Sequence, residues 1–211
     1  MQVLYLHGFA SGPSSRKAVA FAEHFGGRGI TVERLDLRVP SFEHLRLSAM
    51  IDYVRAAITG PAIVIGSSLG GLTAARVAER DERVQAAVLL APAFQLIARW
   101  REQLEAAGEW DDWRRTGWRE VYDYSTGESA RIDYGFVEDA ERTDNGYPAV
   151  AQPTLVLHGT GDETVPIARS REFAASRANA KLVEVADGHE LGKTIPTLLA
   201  ESDRFLSTWL S

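Results

Sequence analysis

The sequence predicts an α/β domain, with a mostly parallel sheet of about six strands, helices layered on both faces and one long interruption. Three observations predict it. Short apolar runs alternate with amphipathic stretches of helix length. Two of those runs, at 62–65 and 154–157, are continuous runs of aliphatic and β-branched residues, as in strands buried on both faces. The chain has 211 residues, 45% hydrophobic and 25% charged, which suffices for one such domain and falls short of two. Residues 1–211 are therefore expected to form a single domain.

The elements follow in order. Residues 3–6 form the first strand, closed by His7-Gly8. Pro13 opens a helix over 13–25 with Ser11 as its expected cap, and Gly26, Gly27 and Gly29 end it. A second strand covers 30–37. Pro40-Ser41 then breaks the chain before a helix over 42–58, stopped by Gly60-Pro61. The strand at 62–65 runs directly into Gly66-Ser67-Ser68-Leu69-Gly70-Gly71 and a helix to about residue 79. A strand at 84–90 follows, after which regular alternation stops until 154–157. A helix at 168–176, a strand at 182–185 and a helix at 195–209 complete the chain.

Composition narrows the function. There is no cysteine, so disulfides, thiolate metal sites and a catalytic thiol are excluded, and a cytoplasmic location is expected. No apolar run reaches the roughly 18 residues of a membrane span, and the opening residues lack the basic region of a secretory leader. Net charge is −6, and no basic stripe of the kind nucleic acid requires is visible. The charge is unevenly spread. Residues 94–150 carry 7 Arg, no Lys and 13 Asp or Glu, whereas the remainder holds 16 basic and 16 acidic side chains.

Gly66-Ser67-Ser68-Leu69-Gly70 matches Gly-x-Ser-x-Gly between a buried strand and a helix. Such a turn lifts the central serine above the strand end, and a helix N-terminus there favours developing negative charge. Ser68 is the candidate nucleophile. It needs a base, and His189, in the loop Asp187-Gly188-His189-Glu190 after the last strand, has the reach. His24 and His44 lie in amphipathic helices, while His7 and His158 precede glycines at strand ends and read as loop-packing residues. The carboxylate that orients His189 is expected to be Asp162, in His158-Gly159-Thr160-Gly161-Asp162-Glu163; Glu163 and Asp187 are its rivals.

The order Ser68, Asp162, His189, each just after a strand, resembles the α/β-hydrolase superfamily, and small bacterial serine carboxylesterases that open on Leu-His-Gly-Phe in particular. The resemblance spans nearly the whole chain, although the family's usual sheet has two strands before the one at which this chain starts. It implies a three-layer hydrolase fold, an oxyanion hole formed by the backbone N–H groups of Phe9 and Leu69, and no metal or organic cofactor. It also implies that residues 94–150 cap the site. That segment holds 10 of the 19 aromatic residues, among which Trp100 and Trp113 are expected to meet substrate. The stretch after Gly108 has no clear period, and 143–148 reads as a turn.

Three other motifs fail on a key residue. The phosphate-loop ending Gly192-Lys193-Thr194 has Asp187 where a glycine is needed, Gly159-Thr160-Gly161 has Thr164 as its third dinucleotide position, and His189-Glu190 has Lys193 at the second zincin histidine. The reading is hydrolysis of small carboxylic esters by a monomer or homodimer. The acidic segment favours neutral substrates. A thioesterase or carbon–carbon hydrolase with the same residues is the alternative, as is a hydrolase-fold protein that only binds a ligand.

Overall fold

The computed structural model describes residues 1–210. Its elements are β1 (Gln2–Leu6), α1 (Arg16–Gly26), β2 (Val32–Leu35), α2 (Leu47–Ala57), β3 (Ala62–Ser67), α3 (Leu69–Arg80) and β4 (Val84–Leu90). Then come α4 (Leu96–Ala106), α5 (Trp110–Thr116), β5 (Trp118–Asp123), β6 (Glu128–Asp133) and α6 (Gly135–Thr143). The chain ends with β7 (Thr154–Gly159), α7 (Ile167–Ala175), β8 (Ala180–Val185) and α8 (Ile195–Leu206).

Six strands form one parallel sheet in the order β2-β1-β3-β4-β7-β8. Successive side chains alternate between its faces. Val3, Tyr5, Ile63, Ile65, Val88 and Leu90 pack towards α1 and α8. Leu4, Leu6, Val64, Ala87, Leu89 and Val156 pack towards α2, α3 and α7 on the other side. The helix after β1, α1, lies on one face of the sheet and the helix after β3, α3, on the other, so a crevice opens between the C-terminal ends of β1 and β3. Ligands bind at such a switch point in open parallel sheets.

Several boundaries differ from the sequence expectation. Helix α1 starts at Arg16 rather than residue 13, its N-cap is Ser15 rather than Ser11, and no side-chain cap bond is made. Residues 12–15 instead close a turn, with the Ser15 N–H donating to the Gly12 carbonyl at 3.0 Å. Helix α2 starts at Leu47 rather than residue 42. The stretch before it commits its backbone elsewhere: Arg46 N–H donates to Val39 O, and Glu43 O accepts the Asp133 N–H at 2.9 Å.

Residues 94–150 contain an antiparallel hairpin, β5–β6, that the sequence pattern did not reveal. Its strands are half-buried to exposed and carry mixed charge, so neither shows a clean apolar alternation. The segment is fastened to the body by its own carboxylates. Asp133 takes a bidentate pair from Arg46 at 2.7 and 3.0 Å, Asp139 accepts the Ser48 N–H and hydroxyl at 2.8 and 2.6 Å, and Asp144 meets the buried Arg76 at 2.7 Å. Burial pushes the Asp144 carboxyl up, against the pull of Arg76. Pairs of this kind, once desolvated, are costly to break from one side.

Candidate active site

Ser68 sits between β3 and α3 with φ 54° and ψ −117°, a conformation that L residues rarely adopt. The glycines around it explain how so tight a turn closes. A Cβ on Gly66 would collide with the Gly70 carbonyl, and one on Gly70 with the carbonyls of Leu6 and His7. All five non-glycine residues with positive φ among the described residues, Ala10, Ser68, Ala91, Gln95 and Leu191, lie in loops at this end of the sheet. Strain is concentrated where the crevice opens.

The loops after β7 and β8 bring two further residues to Ser68. His189 Nε2 lies 2.9 Å from Ser68 Oγ, and His189 Nδ1 lies 2.7 Å from Asp162 Oδ2. The ring's partners imply the tautomer: Nδ1–H donates to the carboxylate and Nε2 accepts the Ser68 hydroxyl proton. The Asp162 side chain is fully buried. Its Oδ1 accepts the N–H groups of Thr164 and Val165 at 2.9 and 2.7 Å. Burial opposes charge on this carboxyl, but the bonds from His158, His189 and the Val165 amide outweigh it and hold its pKa well below the carboxylate range.

The rivals are placed differently. Glu163 is exposed. Asp187 turns away from His189; its carboxylate accepts the Gly188, Lys193 and Thr194 N–H groups and the Thr194 hydroxyl at 2.8–3.0 Å, which fixes the entry to α8. Its carbonyl accepts the Gly161 N–H at 2.9 Å, tying the loop that carries His189 to the loop that carries Asp162.

His158 does more than pack. It is fully buried, and its Nε2 faces both Val165 O at 3.0 Å and Asp162 Oδ2 at 3.1 Å, while Nδ1 accepts the Ser170 hydroxyl at 2.7 Å. The four-residue spacing from His158 to Asp162 was the available signal, since one tight turn returns the carboxylate to the ring. His7 is also buried, and desolvation pushes its imidazole below the usual histidine range. It donates from Nδ1 to Gly8 O at 2.8 Å and accepts the Leu37 N–H at Nε2 at 2.9 Å, which holds the loop containing Gly8 and Phe9. That loop abuts the elbow: a Cβ on Gly8 would stand 3.3 Å from Ser68 Cβ. His24 and His44 lie away from this cluster, beside Asp203 and Asp133 respectively.

A cavity of about 800 Å³ opens over Ser68, and Phe9, Leu69, Trp100, Tyr124 and His189 are among its lining residues. Trp100 contacts Phe9 edge-on, with ring centroids 5.0 Å apart. Trp113 does not reach the cavity, contrary to its expected contact with substrate. It is 1% exposed, packs against Trp100, Trp110 and Tyr134, and donates from Nε1 to Ile132 O at 3.2 Å. Trp113 thus belongs to the core that the segment shares with the sheet and α2 and α3. The acidity of residues 94–150 does not reach the cavity either, since the members lining it are Phe94, Leu96, Arg99, Trp100 and Tyr124. The net charge of that segment is therefore no guide to what the cavity accepts.

Among the described residues no group of three His, Asp or Glu side chains is placed to hold a metal ion. No helix among them is long and apolar enough to cross a membrane.

The strand order, the strained β3–α3 elbow and the crevice above it define an α/β-hydrolase fold. Solved structures share it over almost the whole chain. Alpha/beta hydrolase domain-containing protein 10 from mouse aligns with a TM-score of 0.80 at 23% identity, over 98% of this chain and 90% of that one. Est1E from Butyrivibrio proteoclasticus, with ferulic acid bound, aligns at 0.81 and 21% identity over 98% and 88%. The esterase domain of a Rhodothermus marinus protein aligns at 0.68 and 20% identity over 100% and 88%. Residues 2–202 match the uncharacterised protein family UPF0227, and the chain belongs to that family. No curated protein matches the sequence.

Proposed function

We propose that this protein is a serine hydrolase that cleaves carboxylic esters through an acyl-enzyme intermediate. One observation carries the reading: a hydrogen-bonded chain runs from Asp162 through His189 to Ser68, at 2.7 and 2.9 Å, and ends at the floor of a cavity of about 800 Å³. Nucleophile, base and orienting acid are all within the reach that acyl transfer requires.

In this mechanism Ser68 Oγ attacks the ester carbonyl carbon as its proton passes to His189 Nε2. Asp162 stays ionised, keeps the imidazole in its working tautomer and stabilises the imidazolium. The backbone N–H groups of Phe9 and Leu69 stabilise the oxyanion; Leu69 N–H belongs to the first turn of α3, where amides lack intrahelical partners. The tetrahedral intermediate collapses, the C–O bond to the alcohol breaks, and His189 returns its proton to the leaving alkoxide. Water then attacks the acyl-Ser68 carbonyl and gives a proton to His189, which passes it back to Ser68 Oγ as the carboxylic acid leaves. Trp100 contributes to the wall against which substrate packs. Est1E and the Rhodothermus domain, named as esterases, point to the same reaction class.

The test is a fluorophosphonate probe on the folded protein, followed by a panel of 4-nitrophenyl esters of graded acyl length beside the matching thioesters. Covalent labelling lost in Ser68→Ala, together with turnover of the oxygen esters, supports the proposal. Faster turnover of the thioesters moves the assignment to a thioesterase. A folded protein that neither labels nor turns over leaves a ligand-binding module.

A further inference from the structure

Four basic side chains line the cavity over Ser68, those of Arg16, Lys17, Arg99 and Arg169, against the single carboxylate of Glu190. Lys17 and Glu190 are occupied with each other. The Lys17 Nζ donates to the Glu190 carbonyl at 2.6 Å and lies 3.7 Å from its carboxylate. Three guanidiniums remain. Arg99 and Arg169 each have a glutamate one helical turn away, Glu102 and Glu172, at 3.8 and 3.7 Å. Those separations exceed a hydrogen bond, and the two glutamates are 66% and 54% exposed, so water screens what charge they offer. The Nε of Arg99 is buried with no hydrogen-bond partner among the described residues.

The three arginines come from separate parts of the chain. Arg16 is the first residue of α1, Arg99 belongs to α4 and Arg169 to α7. Their shared cavity is a product of folding, not of a basic run in the sequence. An uncharged substrate would leave this cluster with only the water-screened Glu102 and Glu172 as counter-charge, whereas a carboxylate or phosphate offers guanidinium its strongest, bidentate hydrogen bonds.

We infer that the physiological substrate is an ester carrying an anionic oxygen group, a carboxylate or a phosphate, which Arg16, Arg99 and Arg169 hold while the ester carbonyl meets Ser68. The inference rests on the serine-hydrolase reading above and replaces the neutral substrate suggested by the acidic segment. Repulsion from the acidic exterior is confined at physiological salt to a screening length of about 8 Å, so it acts on approach rather than within the cavity.

The experiment compares kcat/KM for three 4-nitrophenyl esters of equal chain length at fixed ionic strength. One is the hydrogen adipate, one its neutral methyl ester, and one carries a terminal phosphate in place of the carboxylate. At least one anionic ester is expected to exceed the neutral one by about tenfold or more, and the better of the two identifies the group recognised. Arg99→Gln and Arg169→Gln should each lower the anionic-to-neutral ratio by about tenfold, with Arg99→Lys recovering part of it. Reading the ratio cancels any loss of folded enzyme. Wild-type preference for the neutral ester, or ratios unchanged in both arginine variants, overturns anion recognition and leaves the esterase reading standing. Absence of turnover on all three esters, with no fluorophosphonate labelling of Ser68, overturns the serine-hydrolase reading and this inference with it.

Discussion

Two regions meet over Ser68, and they are built by different rules. The strand-end loops carrying Ser68, Asp162 and His189 are governed locally: each side chain stands a few residues beyond a strand of the parallel sheet, and glycines without room for a Cβ, such as Gly66 and Gly159, hold turns closed. Residues 94–150 are governed by packing at a distance. Their carboxylates Asp133, Asp139 and Asp144 reach back to Arg46, Ser48 and Arg76, and their aromatics divide between the core shared with the sheet, at Trp113, and the cavity wall, at Trp100. The first region's chemistry can be read from motif and position, while the second region's inward and outward faces cannot be separated without the fold. Net charge illustrates the point. The segment is strongly acidic overall, yet the only charged side chain it contributes to the cavity wall is Arg99.

The largest expected effect lies in the first region. Ser68→Ala should lose roughly 10⁴-fold or more in kcat with its melting temperature retained, because the nucleophile acts as a unit with its base. Near-normal ester hydrolysis by a folded variant would remove the strand-end loops as the site. Asp162→Asn should follow at roughly 10⁴-fold in kcat, since an amide stabilises the wrong imidazole tautomer. Asp187→Asn probes the same loop without the chemistry. It should cost about 1–3 kcal/mol of stability, because the amide NH2 replaces one of two accepting oxygens, with kcat within a few-fold of wild type. The opposite ranking would transfer the orienting role to Asp187.

The second region should answer in a different observable. Trp113→Ala should destabilise the protein by about 3–5 kcal/mol in denaturant unfolding and leave the ranking of acyl lengths unchanged. Trp100→Ala should move that ranking by about 1–3 kcal/mol per lost contact, read from kcat/KM across the ester series. If both variants only lose stability, the segment's aromatics carry no information about substrate, and the contrast between its core and its wall disappears.

The smallest effect is a slope. The mechanism needs a neutral base to accept the Ser68 proton, so kcat/KM should decline on the acid side. Asp162 remains ionised through that range, because its neighbours hold its carboxyl well below the ordinary value. The acid limb should therefore follow a single proton, with unit slope in log kcat/KM against pH. A slope of two would mean that a second group in the chain titrates with the base. The same depressed carboxyl contributes stability above the unfolded aspartate value near 4, and loses it as pH falls towards the folded one. Asp162→Asn should accordingly flatten part of the acid-side loss of stability.

Much of the architecture was legible because burial leaves a short-range trace. Continuous runs of aliphatic and β-branched residues at 62–65 and 154–157 are interior strands, and β3 is buried along its whole length. Element starts were less legible. Ser11 reads as a helix cap, yet the chain spends residues 12–15 on a turn beside the cavity before α1 begins. The β5–β6 hairpin escaped notice because neither face of it is cleanly apolar, which removes the alternation that marks a strand.

The sequence by itself determined the parallel sheet, the order Ser68, Asp162, His189 and their places after three strands, because a tight turn after a buried strand has strict local requirements. Only the tertiary structure decided that His158 faces Asp162, that Trp113 is core while Trp100 is wall, and that arginines from three helices line one cavity. Those outcomes depend on which way side chains point once segments distant in sequence are packed together. The sign of charge inside a cavity belongs to the assembled surface, and a count along the chain does not carry it.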